Sequence, residues 1–284
     1  MKTLIFKTFL VLFVLFVSNA YADSQVQFRL VQKFMIVVTV TINDAERFDF
    51  FLDTGTNSTV ITPEVAQKLN LRPRDRMEII TVTGKQIVPR AFLPTVALGA
   101  EKAENVEVLI ADLSVIRAID KNICGVLGQN FLAQYNYLLD YDKRRIVFDE
   151  NGELESRLRG TQIPIETSEN RLLITVFVRQ NSLRLVLDSA AAHLILFDDA
   201  TRRLDIEYIS FTEVSTGTGK TAAKTARLNS LRIGKEIFYD LPTIIMSEKN
   251  KYRAENGLMP LNLFRLIYFN HTKGFVIFNP KLSK

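Results

Sequence analysis

The amino-acid sequence predicts an all-β protein built as two tandem lobes with few short helices. Runs rich in Val, Ile, Phe and Thr, such as Met35 to Ile42, Arg47 to Leu52, Arg171 to Val178 and Ser182 to Leu187, are separated by polar turns, the composition that suits a pleated, half-buried surface. The chain also repeats itself. Sliding it by 135 residues lays Asp53 on Asp188, Leu69 on Leu204, Leu71 on Ile206, Glu78 on Glu213, and Thr83-Gly84-Lys85 on Thr218-Gly219-Lys220, without a gap. The offset then falls to 132, where Gly125 to Leu132 meets Gly257 to Phe264, and to 130, where Asp142 to Phe148 meets Thr272 to Phe278. Order and spacing persist while most letters differ, as two copies of one fold require.

Taken in chain order, residues 1–22 read as a secretory signal. Lys2 and Lys7 precede an apolar run from Phe9 to Val17, and Ala20-Tyr21-Ala22 supplies a small-x-small cleavage site. The mature chain is expected to begin at Asp23 and to be exported, periplasmic or secreted; an uncleaved segment would instead leave it anchored to the membrane. An N-terminal lobe is assigned to residues 23–152, a charged linker to 153–162 and a C-terminal lobe to 163–284. Each lobe opens with a hairpin that ends at its Asp. In the first lobe a short helix follows, with Thr62 as N-cap, Pro63 in the first helical position and Glu64 in the first turn. Its counterpart, Asp198 to Leu204, starts with two acids and ends near two arginines, which suits the helix dipole.

Composition excludes several classes of function. The formal charge of +5 is spread over 36 basic and 31 acidic side chains, a solvated surface and not a nucleic-acid footprint. One cysteine, Cys124, allows no internal disulfide, and its place in an apolar stretch reads as a packed thiol. Two histidines, His193 and His271, with no Cys/His cluster imply no metal and leave a Ser-His-Asp triad poorly supplied. Ser215 to Thr221 looks like a phosphate-binding loop, but Val214 stands where that motif needs Gly, and the register against Thr83-Gly84-Lys85 makes it a repeated β-turn. Neither a nucleotide nor an organic cofactor is implied.

What remains is a pair of carboxylates. Phe50-Phe51-Leu52 runs into Asp53-Thr54-Gly55, and Leu185-Val186-Leu187 runs into Asp188-Ser189-Ala190. A strand that ends in Asp, a small hydroxyl residue and Gly sets a carboxylate on a tight turn whose amides approach it. Val60-Ile61 follows, a Gly-containing turn lies near Gly84, and Val126-Leu127-Gly128 closes the pattern. These residues resemble the aspartic proteases of the retropepsin and pepsin group, over nearly the whole mature chain. The resemblance implies two acid-protease-like β-barrel lobes related by a pseudo-two-fold axis, with a peptide or protein substrate between them. It implies that Asp53 and Asp188 are the catalytic pair and that Thr54 and Ser189 hydrogen-bond across the axis. It makes Gly55, Thr56, Ala190 and Gly128 supporting residues, and it makes Thr81, Val82, Thr83 and Gly84, with Thr216, Gly217, Thr218 and Gly219, two substrate-binding flaps.

The second copy departs from the pattern. Ala190 replaces the Gly of the triplet and Pro260 replaces the counterpart of Gly128, removing an amide expected near Asp188. Thr56, whose match is Ala191, is expected to hydrogen-bond the outer oxygen of Asp53 and so to leave the shared proton on Asp188. Three readings stay open: an exported monomeric aspartic endopeptidase with an Asp53–Asp188 dyad, a homodimeric protease that uses Asp53 twice, and an inactive peptide-binding protein on the same fold.

Overall fold

Alternating burial along the predicted strands is what folds each half. A computed structural model of the chain describes residues 24–81, 84–216, 219–247 and 254–282; the expected signal segment lies outside them. In the strand Met35–Ile42 almost every side chain is buried, and it pairs antiparallel with Glu46–Leu52, which ends one residue before Asp53. The matching hairpin pairs Arg171–Val178 with Asn181–Asp188. Each half builds an eight-stranded sheet, and the two have the same strand order. In the first half that order is Arg29–Val31, Met35–Ile42, Glu46–Leu52, Ile123–Leu127, Thr59–Ile61, Glu101–Ile110, Gly84–Leu98 and Asp75–Thr81. Thr41 and Ile42 pair back onto Ala97 and Val96, and Phe177 pairs onto Arg232, so both sheets curl into partly closed barrels.

Close crossing of strands inside each barrel demands glycine at one repeated position. A β-carbon on Gly125 would lie 2.5 Å from the Phe50 ring, and one on Gly257 would lie 2.0 Å from the Ile195 carbonyl oxygen. The crossing brings Leu127 beside Leu52 and Pro260 beside Asp188 in parallel pairing, and this carries the two Asp turns to the same end of their lobes.

The lobes are not independent. Three strands from each contribute to one antiparallel six-stranded sheet, ordered Gln25–Gln27, Arg145–Phe148, Tyr137–Asp140, Leu266–Asn270, Phe275–Phe278 and Gln162–Pro164. Leu138 faces Tyr268 at its centre, and a single apolar cluster runs from Ile36 and Phe50 through Tyr137 and Phe269 to Leu185 and Leu196. The linker is ordered into this arrangement. Its helix Glu153–Arg157 is held by the Asp149 carboxylate, which accepts from the amides of Leu154 at 3.0 Å and Glu155 at 2.9 Å and from the Tyr268 hydroxyl at 2.7 Å. Leu158–Arg159 then pairs with Lys281–Leu282.

Helix expectations divide by capping. Pro63–Lys68 forms as read, with the Thr62 hydroxyl accepting from the Val65 amide. The second helix spans only Asp198–Thr201, because Phe197 provides no side-chain cap and the Thr201 hydroxyl turns back onto the Asp198 carbonyl at 2.7 Å. Cys124 is half-buried and packs on the core, with burial pushing its thiol up. His193 is exposed, since the turn after Asp188 carries it outward.

Candidate active site

Asp53 and Asp188 leave the ends of their strands and meet at the junction of the lobes. Their carboxylates lie within hydrogen-bonding reach of each other, Asp188 buried and Asp53 partly exposed. The approach is so close that a β-carbon on Gly55 would sit 2.7 Å from Asp188 Cγ. Gly55 is therefore required by the contact between the halves.

Thr54 and Ser189, both buried, lock the two turns together reciprocally. The Thr54 amide donates to Ser189 Oγ at 3.0 Å and the Ser189 amide to Thr54 Oγ1 at 3.0 Å. Each hydroxyl passes its own proton to the opposite strand: Thr54 Oγ1 donates to the Leu187 carbonyl at 2.8 Å, and Ser189 Oγ to the Leu52 carbonyl at 2.9 Å. Four buried hydrogen bonds thus fix the carboxylates' relative position, and each group left without its partner would cost about 1–3 kcal/mol.

Backbone amides support both carboxylates. Gly55 donates to Asp53 Oδ1 at 2.8 Å, helped by the Thr56 amide; Ala190 and Ala191 donate to Asp188 Oδ1 at 2.7 and 3.1 Å. The Ala190 backbone needs no left-handed conformation, and its methyl packs on an apolar cluster with Met35, Val37 and Phe51. Ala190 thus presents the same amide to its carboxylate that Gly55 presents to Asp53.

Two expectations change here. The Thr56 hydroxyl does not serve Asp53: it turns to the Ser58 carbonyl at 3.5 Å, and only the Thr56 amide faces the carboxylate. Pro260 does not deprive Asp188 of a donor either. The Gly128 amide that it replaces bonds the Thr59 hydroxyl at 3.3 Å, not Asp53. In the second lobe Leu194 stands at the position of Thr59, so donor and acceptor disappear together and no buried group is orphaned. Gly128 keeps its own reason, since a β-carbon there would meet the Ser58 carbonyl oxygen at 2.4 Å.

Sequence reasoning missed the strap behind the first turn. Fully buried Gln129 donates from Nε2 to the Thr54 carbonyl at 3.0 Å, and Asn130 Oδ1 accepts from the Thr59 amide at 2.9 Å and hydroxyl at 2.7 Å. Asn130 aligns with Asn262, which donates to the Ala192 carbonyl at 3.2 Å, and that identity was a usable signal. Gln129 aligns with Leu261 and carried none.

Burial raises both carboxylates above the usual range. Asp53 is pushed up to about 6, the amides of Gly55 and Thr56 opposing the rise. Asp188 is pushed up to about 8 by burial and then by the charge of Asp53. One proton shared between the two acids is the state this geometry favours near neutrality.

Residues 38–131 and 174–261 match the family model described as "Aspartyl protease", and these segments cover more than half of the chain. The chain belongs to the aspartyl protease family. A solved retropepsin-like aspartic protease from Rickettsia conorii is similar at 18% identity, covering 44% of this chain and 87% of that one, with a TM-score of 0.33. No curated protein matches. Family membership makes this protease a hydrolase of peptide or protein substrates, and the two matched segments correspond to the internal repeat.

Both predicted flaps fall at the ends of long hairpins in the protease. Asp75–Thr81 pairs with Gly84–Leu98 up to Thr81 opposite Gly84, and Ile206–Thr216 pairs with Gly219–Ile233 up to Thr216 opposite Gly219. Val82, Thr83, Gly217 and Thr218, at the turns themselves, lie outside the described residues. Among the described residues there is no cluster of His, Cys, Asp and Glu arranged for a metal, and no helix is long and apolar enough to cross a membrane.

Proposed function

We propose that the chain is an exported, monomeric aspartic endopeptidase whose Asp53 and Asp188 form an intramolecular dyad. One observation carries this reading: the reciprocal Thr54–Ser189 lock that holds the two carboxylates side by side within a single chain. The dyad is complete without a second copy, which favours the monomer over a homodimer built on Asp53 alone.

In the proposed reaction a water held between the carboxylates loses a proton to Asp53 as its oxygen attacks the scissile carbonyl carbon. The proton on Asp188 passes to the carbonyl oxygen, giving a neutral tetrahedral diol. Collapse of the diol breaks the C–N bond; the departing nitrogen takes the proton held by Asp53, and a diol hydroxyl returns one to Asp188. The hairpins ending at Thr81–Gly84 and Thr216–Gly219 close over the extended substrate and exclude bulk water.

The test is cleavage of a mixed peptide library by the purified mature chain, with Asp53→Asn and Asp188→Asn beside it. Loss of activity in both variants, and inhibition of the parent by a hydroxyl-bearing transition-state mimic, is the expected result. Activity that survives Asp188→Asn supports the homodimer, and a parent that cleaves nothing supports the inactive binder. Export is tested by cell fractionation and N-terminal sequencing, with Asp23 as the expected first residue.

A further inference from the structure

The two long hairpins are copies of each other, yet their outer strands present opposite surfaces. In the first lobe the edge strand Asp75–Thr81 is blunted by charge: Asp75 pairs with Arg90 and Glu78 with Lys85 at 2.7 Å. The second edge strand, Ile206–Thr216, keeps the equivalent of the latter pair, Glu213 with Lys220 at 3.0 Å. Beside that preserved pair, three positions have changed character. Pro73, Arg74 and Arg76 of the first copy correspond to Tyr208, Ile209 and Phe211, which are 55%, 58% and 83% exposed. Pro89 corresponds to Lys224, opposite Phe211, and the Lys224 ammonium lies 5.5 Å from the Tyr208 ring and 5.8 Å from the Phe211 ring. No carboxylate pairs with Lys224 among the described residues. With Ser210 these side chains line one shallow depression.

Adjacent large apolar side chains held in water mark a surface that another molecule covers. The charges narrow what that molecule is. Glu207 and Glu213 flank the patch, so an antiparallel pairing of this strand with its own copy about Ser210 would set each glutamate against a glutamate. What complements a lone lysine between two rings is a carboxylate that arrives with apolar neighbours. An edge strand adds outward backbone groups for an extended chain, and the irregular register between Tyr208 and Ser210 limits how far such pairing runs.

Location ties the patch to the protease site. Phe211 lies five residues before Thr216, so about 17 Å of extended strand separates it from the end of the hairpin proposed as a flap. We propose that Tyr208, Ile209, Phe211 and Lys224 form a docking site for an extended segment of the protein substrate, one with an acidic residue between apolar side chains, distinct from the cleavage site. The proposal rests on the protease reading for the identity of the docked molecule as substrate. Docking there raises the local concentration of the scissile segment at the cleft.

The binding test does not require turnover. A fluorescein-labelled peptide with one aspartate between two phenylalanines is titrated by fluorescence polarisation against the full mature chain carrying Asp53→Asn. Binding is expected, weakened about tenfold by Lys224→Glu and by Phe211→Ser, retained in Lys224→Arg, and lost when lysine replaces the peptide's aspartate. All substituted side chains are exposed, so the fold is unaffected. In the active parent, extending a cleavable peptide with this segment through a flexible linker lowers KM, and Lys224→Glu removes that gain while leaving the short peptide unchanged. Equal binding by all variants overturns the proposal, as does a parent dimer in sedimentation that Phe211→Ser dissolves. A chain that binds the peptide at this patch yet cleaves nothing overturns the protease reading instead.

Discussion

Replacing Gly55 by Ala tests the contact on which the proposed dyad depends. The new methyl would lie 2.7 Å from Asp188 Cγ and 2.9 and 3.0 Å from its oxygens, whereas ordinary contacts begin at 3.4 Å. The Asp188 carboxyl must therefore shift by about 0.7 Å from the position in which the amides of Ala190 and Ala191 hold it. Misplacing a reacting group by about 1 Å costs on the order of 100-fold in rate, so a fall in kcat of about 10- to 100-fold is expected, or about 1.4–2.7 kcal/mol. The assay is turnover of a quenched peptide at saturation, with near-ultraviolet circular dichroism to verify the fold. The mirror variant, Ala190→Gly, removes a methyl that packs on the apolar cluster containing Met35, Val37 and Phe51 and should cost roughly 1 kcal/mol of stability with kcat retained. A Gly55→Ala enzyme that turns over within about threefold of the parent would refute the reasoning, because the two carboxylates would then not need this approach.

Other consequences follow from the same geometry. On the proposed reading, in which the Asp53–Asp188 pair works with one proton, the pH dependence of kcat/KM should be bell-shaped, with limbs near about 6 and about 8; His271, held down to about 4 by burial, and Tyr141, pushed above its usual range, stay neutral across that window. Both dyad carboxylates are raised, so the native chain holds a proton that the unfolded chain releases near pH 4; stability is full below that and falls as pH rises through the raised values. Asp188→Asn should flatten this decline, read as melting temperature between pH 5 and 9. Thr54→Val strips partners from the buried Ser189 amide and Leu187 carbonyl and should cost about 2–6 kcal/mol, measured by urea unfolding. Gln129→Leu, copying Leu261, frees the Thr54 carbonyl and should lower kcat about tenfold with KM little changed, since the substrate does not touch Gln129 but the Asp53 turn leans on it.

Much of the fold was legible because its signals are local. The hairpin Met35–Ile42 with Glu46–Leu52 and the cap at Thr62 are written in adjacent residues, and alternation or capping chemistry decides them with little help from elsewhere. The six-stranded sheet that joins the lobes was not legible. Pairing Leu138 with Tyr268 depends on chain segments 130 residues apart, and no local pattern specifies the partner of a buried strand. The linker helix escaped for the same reason, its cap being Asp149 held in turn by Tyr268. At the site, Ala190 and Pro260 looked like damage when read singly. Only the partners showed that Ala190 keeps its amide and that Pro260 loses one whose acceptor, through Leu194, is gone too.

The sequence by itself determined that this protein carries two copies of one β fold, each delivering an Asp at a strand end. It could do so because repetition and strand periodicity are properties of the linear chain. Only the tertiary structure decided that Asp53 and Asp188 meet, that Gly55 is required by Asp188 and not by its own turn, and that burial raises both carboxylates. Those outcomes depend on burial and on contacts across 135 residues of chain, where desolvation and the neighbouring charge set the chemistry.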